Sequence, residues 1–263
     1  SEETAGMIEF GIGDYDAYEL GGMYNTAPSD SVAARVAFKY MARDGYGTNT
    51  FDGEDFGARD DLVARGKVLF DLGDRLSLLV TADYAEINFG GNAVEVLNST
   101  STPVFEATTT ALYGSSPVTE DSHDWKINQA HRNVNRDAQQ GMSLDINYQY
   151  RNGLALRSIT AYREWEADDT NEDIRLPAHL APATTRLQTD TFSQEIQLFS
   201  PAGNTLDWLA GLTITGKTTT STGRAAPAIV FVIQRSAQSR RRLAPFAWPV
   251  SRKKRTSRLS PRS

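Results

Sequence analysis

The residues best suited by type and spacing to bind a metal are those at positions 169–173, Asp-Thr-Asn-Glu-Asp. Their D-x-N-x-D rhythm matches the first half of a calcium-binding loop, in which alternate side chains supply oxygen ligands. The match then fails, because Ile174 stands where the loop requires a glycine and Leu180 stands where it requires a glutamate. We therefore predict a solvated acidic loop at these positions.

Histidine is the other residue type that commonly binds metals or transfers protons. The sequence contains His123, His131 and His179, and none of them has a second ligand at the spacing of a known metal site. The sequence also shows no nucleophile elbow, no phosphate-binding glycine loop and no cysteine. We predict no enzymatic activity, no cofactor and no metal site.

Aromatic side chains in long loops are the remaining candidates for a binding site, because loops on a rigid scaffold often carry the ligand contacts. The candidates are Tyr46, Phe51, Phe56, Tyr113, Trp125 and His131. Taken singly, each is explained more simply by packing on its own loop. If the protein binds a ligand, these are the residues predicted to contact it.

The elements that must hold these loops are strands with a period of two. From Met142 to Tyr150 every second residue is apolar or aromatic, and every residue between them is polar. Residues 151–153, Arg-Asn-Gly, form a turn, and a return strand continues to Glu166. The aromatic residues cluster at both ends of this hairpin, which is typical of a strand pair that crosses two membrane interfaces.

A second strand shows the same alternation. Its apolar face carries Val32, Ala34, Val36, Phe38 and Tyr40. The opposite face carries Arg35, Lys39 and Arg43. In a soluble sandwich this polar face would be solvated, and in a wide barrel it would line the lumen. In the barrel interpretation, Val36, Phe38, Leu144, Ile146 and Tyr148 face lipid, whereas Arg35, Lys39, Asp145 and Asn147 face the lumen.

The connections between the predicted strands alternate in length. Short connections follow Asn25, Phe70, Tyr150 and Ser200. Long connections follow Arg43, Tyr84 and Glu166, and the short connection at residues 13–16 is an exception. Transmembrane barrels have short periplasmic turns and long extracellular loops, whereas a soluble meander has no reason for this asymmetry.

Three segments resemble the barrel of TonB-dependent outer-membrane receptors. They are LRSITAYREWEAD at residues 156–168, TDTFSQEIQLFSPAGNTLDWLAGL at residues 189–212, and YELGGMYNTAPSDSVAARVAFKYMARDGYGTNTFDGEDFG at residues 18–57. The resemblance implies an all-β fold, an antiparallel transmembrane β-barrel of about 22 strands with a plugged lumen. This chain supplies about nine of those strands, and no plug domain is evident in it.

The resemblance also implies a function and partners. Receptors of this kind lie in the outer membrane of Gram-negative bacteria and take up scarce nutrients, most often a ferric siderophore. The expected partners are outer-membrane lipid, a small ligand such as a ferric siderophore, and a TonB-type energy-coupling protein that acts through an N-terminal region missing from this chain. SEETAGMIEF, at residues 1–10, does not resemble a signal peptide. Because about nine strands are evident and no plug domain is, we expect the chain to be a fragment that is inactive alone.

The charge distribution divides the chain in two. All 33 acidic residues lie at or before Leu212, whereas 12 of the 27 Lys and Arg residues lie after it. We predict a partial barrel at residues 1–212 and a basic low-complexity tail at 213–263, which is either disordered or an out-of-frame translation. The run at residues 252–255, Arg-Lys-Lys-Arg, would suit nucleic acid or anionic lipid, but few aromatic residues accompany it, and we expect no nucleic-acid partner.

The rival interpretation is a soluble or surface-attached all-β binding module, such as a carbohydrate-binding sandwich. It would account for the alternation and for the loops. It would not account for aromatic residues at both ends of the strands or for long connections on one side only.

Overall fold

The structure is a computed structural model of the chain. It describes residues 4–91, 94–96, 102–118, 123–130, 133–171, 177, 183–201, 203, 206–221 and 224–232. The strands are β1 (Ala5–Gly13), β2 (Ala17–Ser29), β3 (Val32–Arg43), β4 (Gly47–Asn49), β5 (Asp55–Phe56), β6 (Arg59–Asp71), β7 (Leu76–Phe89), β8 (Lys126–Ile127), β9 (Val134–Gln149), β10 (Ala155–Asn171), β11 (Ala183–Phe199), β12 (Leu209–Ser221) and β13 (Arg224–Val232). One helix, α1 (Thr102–Tyr113), precedes β8. Within these residues, no helix is long and apolar enough to cross a bilayer.

Ten strands form one antiparallel sheet in the order β1-β2-β3-β6-β7-β9-β10-β11-β12-β13. Apart from the short strands β4, β5 and β8, each strand pairs with the strands that precede and follow it along the chain. In the part of the chain that the structure describes, β1 and β13 each have one sheet neighbour. The predicted all-β antiparallel fold is confirmed, with ten strands in the sheet where the sequence indicated about nine.

The two faces of the sheet differ in polarity. One row of paired positions crosses eight strands on the first face: Tyr24, Val36, Gly66, Ala82, Met142, Tyr162, Phe192 and Gly216. The adjacent row lies on the second face: Met23, Ala37, Arg65, Asp83, Gly141, Arg163, Thr191 and Lys217. The first row has no ionisable side chain besides its tyrosines, and the second has four charged ones. We call the first the apolar face and the second the polar face.

The predicted facing pattern agrees with these two faces. Leu144, Ile146, Tyr148, Val36 and Phe38 share the apolar face. The polar face carries Asp145, Asn147, Arg35 and Lys39. Several apolar side chains are strongly exposed, including Val36 at 52% and Met142 at 60%. That the apolar face contacts lipid remains a prediction.

The sheet buries very few apolar side chains. Among the described residues the buried apolar ones are Phe56, Ile127 and Ala167, and only Ala167 belongs to the ten-stranded sheet. A sandwich of two sheets would bury every second residue of its strands between the sheets. The large sheet therefore does not fit the sandwich alternative.

Several strands are longer than their alternation predicts. β9 begins at Val134 and β10 ends at Asn171, so the long connections predicted after Tyr84 and after Glu166 are shorter than expected. Asp169 and Asn171 accordingly lie in a strand, which corrects the predicted acidic loop there; residues 172–176 lie outside the described part. The additional residues at these strand ends are polar on both faces of the sheet. Backbone pairing therefore extends beyond the segment in which alternating apolar residues predict a strand.

The predicted domain boundary after Leu212 falls inside a strand. β12 runs from Leu209 to Ser221 and pairs with β11 over its whole length, and β13 follows it. Regular structure thus continues past the point at which acidic residues disappear. The nature of the basic tail stays a prediction, because residues 233–263 lie outside the described part.

Candidate ligand-binding region

Two connections at one end of the sheet fold together. We call residues 44–58, which connect β3 to β6, and residues 123–130, which belong to the connection from β7 to β9, the loop unit. β3 and β7 run in the same direction, so both connections leave the sheet at the same end. Within the loop unit, β4 pairs antiparallel with β5 and parallel with β8. The loop unit therefore joins segments that are far apart in sequence.

Three of the predicted ligand-contacting residues meet in the loop unit. The ring centroid of Tyr46 lies 5.7 Å from that of Phe56 and 5.2 Å from that of Trp125, and both pairs are edge-to-face. Each such pair contributes about 0.5–1.5 kcal/mol beyond the area it buries. The guanidinium carbon of Arg43 lies 5.1 Å from the Tyr46 ring centroid. Phe56 is buried, whereas Trp125 is 54% exposed and can meet a ligand.

Local backbone geometry makes room for these rings. A Cβ atom at Gly47 would overlap the Phe56 ring, and one at Gly57 would overlap the Tyr46 ring. Trp125 has a φ of 58°, in the left-handed region, which costs a non-glycine residue roughly 1–3 kcal/mol. Such strain persists only where the surroundings hold the residue in place, and it clusters at functional sites.

The other three predicted residues do not join this ring cluster within the described part of the chain. Phe51 lies between β4 and β5 and is 40% exposed. Tyr113 is the last residue of α1. His131 lies outside the described residues. The structure thus brings together Tyr46, Phe56 and Trp125, and the ligand role of all six residues stays a prediction.

A recess near the ring cluster has a volume of about 140 Å³, and its lining includes Asn49, Phe56, Gly91 and Ile127. Pockets for drug-sized ligands usually measure about 300–1,000 Å³. An iron chelate would therefore not fit into the recess. Within the ring cluster Trp125 is exposed and Tyr46 is half-buried beside it.

Sequence reasoning missed the polar residues that hold the loop unit together. Asn49 and Gln129 are each 3% exposed and are hydrogen-bonded to each other across 80 residues of sequence. Neither belongs to a motif, and their pairing depends on a contact between two loops. No signal in the linear sequence indicates it.

The polar face is held by ion pairs between strands. Lys39 pairs with Glu19 at 2.8 Å, Arg157 pairs with Asp145 at 2.6 Å, and Arg163 pairs with Asp83 at 2.8 Å. Exposed pairs of this kind contribute at most about 1 kcal/mol each. These pairs neutralise Lys39, Arg157 and Arg163, so the polar face carries balanced charges at these positions.

The apolar face ends at a row of tyrosines bonded to carboxylates. The Tyr40 hydroxyl donates to Asp60 at 2.9 Å, and the Tyr162 hydroxyl donates to Asp190 at 2.8 Å. Tyr84 likewise donates to Glu86. Farther along β10 the same face carries Glu164, Glu166 and Asp168. The tyrosine row thus separates an apolar zone from an acidic zone that lies on the loop-unit side.

The chain is similar in structure to solved iron-chelate receptors. The ferric yersiniabactin uptake receptor FyuA from Yersinia pestis matches 87% of this chain and 32% of its own chain, with a TM-score of 0.62 and 14% identity. The ferric-catecholate import receptor Fiu from E. coli K12, in its closed form, matches 85% and 33%, with a TM-score of 0.59 and 13% identity. The ferripyoverdine receptor of the outer membrane of Pseudomonas aeruginosa, bound to ferripyoverdine, matches 84% and 28%, with a TM-score of 0.56 and 16% identity.

The chain therefore spans about a third of the length of these structures. No protein-family model matches the sequence, and no curated protein matches it. At such low identity the likeness establishes the fold, which is that of part of a receptor barrel. The predicted fold class is confirmed.

Proposed function

We propose that the chain is part of a TonB-dependent outer-membrane receptor that takes up a ferric siderophore, and that Tyr46 and Trp125 contact the chelate. The observation that carries this proposal is the sheet itself. One face is apolar and exposed across the sheet, and the other is polar and cross-linked by ion pairs. A sheet with such faces suits lipid on one side and a polar lumen on the other.

The position of the ring cluster supports the ligand part of the proposal. It lies in the long connections, which are extracellular in a barrel of this orientation. Its exposed indole can stack on the aromatic rings of a catecholate chelate, because offset or edge-on ring contacts are favourable. The likeness to receptors for ferric chelates agrees with this ligand class.

The coding DNA on either side of this segment tests the receptor proposal. A receptor gene should encode a signal peptide and a plug domain upstream, and further alternating strands downstream in one of the three frames. An upstream region without a plug domain would exclude a TonB-dependent receptor. A second, soluble domain in its place would favour the rival binding module.

A binding measurement tests the ligand part. The 263-residue chain in detergent micelles is titrated with ferric tris-catecholate, and tryptophan fluorescence is recorded. We expect saturable quenching of the tryptophan fluorescence. Trp125→Leu should raise the apparent Kd for the chelate at least about tenfold, which corresponds to ~1.4 kcal/mol. Trp208→Leu is the matched control, because Trp208 is 42% exposed and lies near the opposite turns. Equal weakening by both variants would contradict the assignment of the site.

A further inference from the structure

The side chain of Asn49 links the two connections of the loop unit, beside the Thr50 hydroxyl, which donates to the Ile127 carbonyl at 3.0 Å. The Asn49 amide nitrogen donates to the Gln129 carbonyl at 2.8 Å, and the Asn49 amide oxygen accepts from the Gln129 N–H at 3.1 Å. The same oxygen accepts from the Phe51 N–H at 3.3 Å. Asn49 thus uses donor and acceptor together, as a backbone peptide group does in a sheet.

Backbone hydrogen bonds on either side of Asn49 also link the two connections. We call these bonds, together with those of the Asn49 side chain, the joint. The Thr48 N–H donates to the Trp125 carbonyl at 2.9 Å, and the Thr50 N–H donates to the Ile127 carbonyl at 2.7 Å. Trp125 is therefore attached to β4 by its own carbonyl. The position of its ring against Tyr46 depends on this joint, since the two residues lie in different connections.

Burial makes the joint specific to an asparagine. Asn49 is 3% exposed and lies beside Ile127, which is 4% exposed. A buried amide that loses a partner is not compensated by water. Aspartate at this position would keep the acceptor but lose the donor, and alanine would lose both.

We propose that Asn49 is a positioning residue. Its hydrogen bonds fix the two connections relative to each other and so hold Trp125 against Tyr46 on the ligand side. The joint needs no ligand. The inference rests on the proposed function only in giving the positioned Trp125 a chelate to bind.

Disulfide trapping tests the joint directly, because the chain has no cysteine of its own. Thr48 and Lys126 are paired in the parallel β4–β8 register. Paired strands lie roughly 4.8 Å apart, within the Cα separation that a disulfide spans. The double variant Thr48→Cys with Lys126→Cys is oxidised in micelles and the rate of cross-linking is measured. A second pair, Ser77→Cys with Asn147→Cys, reports on the β7–β9 register in the same way.

We expect Asn49→Ala and Asn49→Asp to slow the loop cross-link at least about tenfold and to leave the sheet cross-link unchanged. Asn152→Asp is the matched control. Asn152 lies in the opposite turn and only accepts, from the Leu154 N–H at 3.2 Å, so aspartate can replace it. An unchanged loop cross-link in Asn49→Ala overturns the proposal. Loss of both cross-links also overturns it, because Asn49 would then support the whole fold.

The catecholate titration separates this inference from the proposed function. If Asn49→Asp weakens quenching by ferric tris-catecholate as Trp125→Leu does, the positioning role is supported. If the loop cross-link depends on Asn49 but no variant binds the chelate, the joint stands and the proposed ligand class fails. If binding is intact in Asn49→Asp while Trp125→Leu abolishes it, the positioning role fails and the ligand site stands.

Discussion

The guanidinium of Arg163 on β10 reaches across β9 to the carboxylate of Asp83 on β7, with Nη2 2.8 Å from Oδ2 and 3.0 Å from Oδ1. Gly141 of β9 is paired with Asp83 on one side and with Arg163 on the other. A Cβ atom at Gly141 would lie 3.0 Å from the Arg163 Nη2. The missing side chain therefore lets two strands that are not neighbours form an ion pair.

This geometry predicts that Gly141→Leu uncouples Arg163 from Asp83. A leucine side chain would occupy the path of the guanidinium and hold the two charges apart. A double-mutant cycle of Arg163→Gln and Asp83→Asn measures the coupling free energy between the two side chains, which is at most about 1 kcal/mol for an exposed pair. We expect this coupling to vanish when the cycle is repeated in the Gly141→Leu variant. Urea unfolding in micelles measures it.

The Arg157–Asp145 pair provides the control for that cycle, because it lies on neighbouring strands β10 and β9 and bridges at 2.6 Å. Its coupling should be the same in both backgrounds. Coupling between Arg163 and Asp83 that survives Gly141→Leu would show that the ion pair does not depend on the bare glycine.

The division of side chains between the apolar and the polar face of the sheet gives a second prediction. In the complete receptor proposed above, single cysteines at Val36, Phe38, Leu144 and Ile146 should react with a lipid-soluble probe. Cysteines at Arg35, Lys39, Asp145 and Asn147 should react with a water-soluble one. The reason is that these two sets occupy opposite faces of one sheet. Stronger lipid-probe labelling at positions 35 and 39 than at 36 and 38 would contradict it.

The strands were predictable wherever one face is apolar and the other polar. The strict alternation from Met142 to Tyr150 identifies both the strand and its faces. The signal fails beyond the apolar zone, where Glu164, Glu166 and Asp168 occupy the face that carries Leu156 and Tyr162 lower on the strand. Backbone hydrogen bonds hold these ends together, and they leave no pattern in side-chain type.

The sequence indicated which loop residues could form the candidate site, and it did not indicate how they are arranged. Of the six candidates selected as aromatic residues in loops, Tyr46, Phe56 and Trp125 contact one another, and their ligand role stays a prediction. Which ones meet is decided by the joint at Asn49, whose partner Gln129 lies 80 residues away. A contact between two loops depends on the sheet that brings them together, so local spacing cannot indicate it.

The tyrosine row gives a third prediction. Tyr162→Phe should destabilise the sheet by about 0.5–1.5 kcal/mol, because it removes the hydrogen bond to Asp190. Tyr24→Phe is the matched control, since Tyr24 lies in the same row of the apolar face, is 49% exposed, and bonds to no carboxylate in the part of the chain that the structure describes. Urea unfolding in micelles compares the two. Equal effects would show that the tyrosine–carboxylate bonds add nothing to stability.

The tail gives a fourth prediction. Acidic residues stop before position 213, and the structure carries the β12 strand on to Ser221. We expect the coding DNA past Leu212 to show alternating strands with aromatic ends when it is read in another frame. Sequencing that DNA is the measurement. If neither other frame shows such alternation, the frameshift explanation of the tail fails.

The final prediction is that this polypeptide alone transports nothing. In hydrocarbon each unsatisfied backbone N–H or C=O costs several kcal/mol, so only a closed barrel can span. β1 and β13 each have one neighbour in the described sheet, and β1 exposes Ile8 at 82% and Ile12 at 80%. Closure of ten strands on themselves would leave too narrow a lumen, because barrels near eight strands are filled by their own side chains. We expect the exported chain to aggregate or to be degraded. Energy-dependent uptake of ferric tris-catecholate, restored by this chain in a receptor-deficient strain, would refute the prediction.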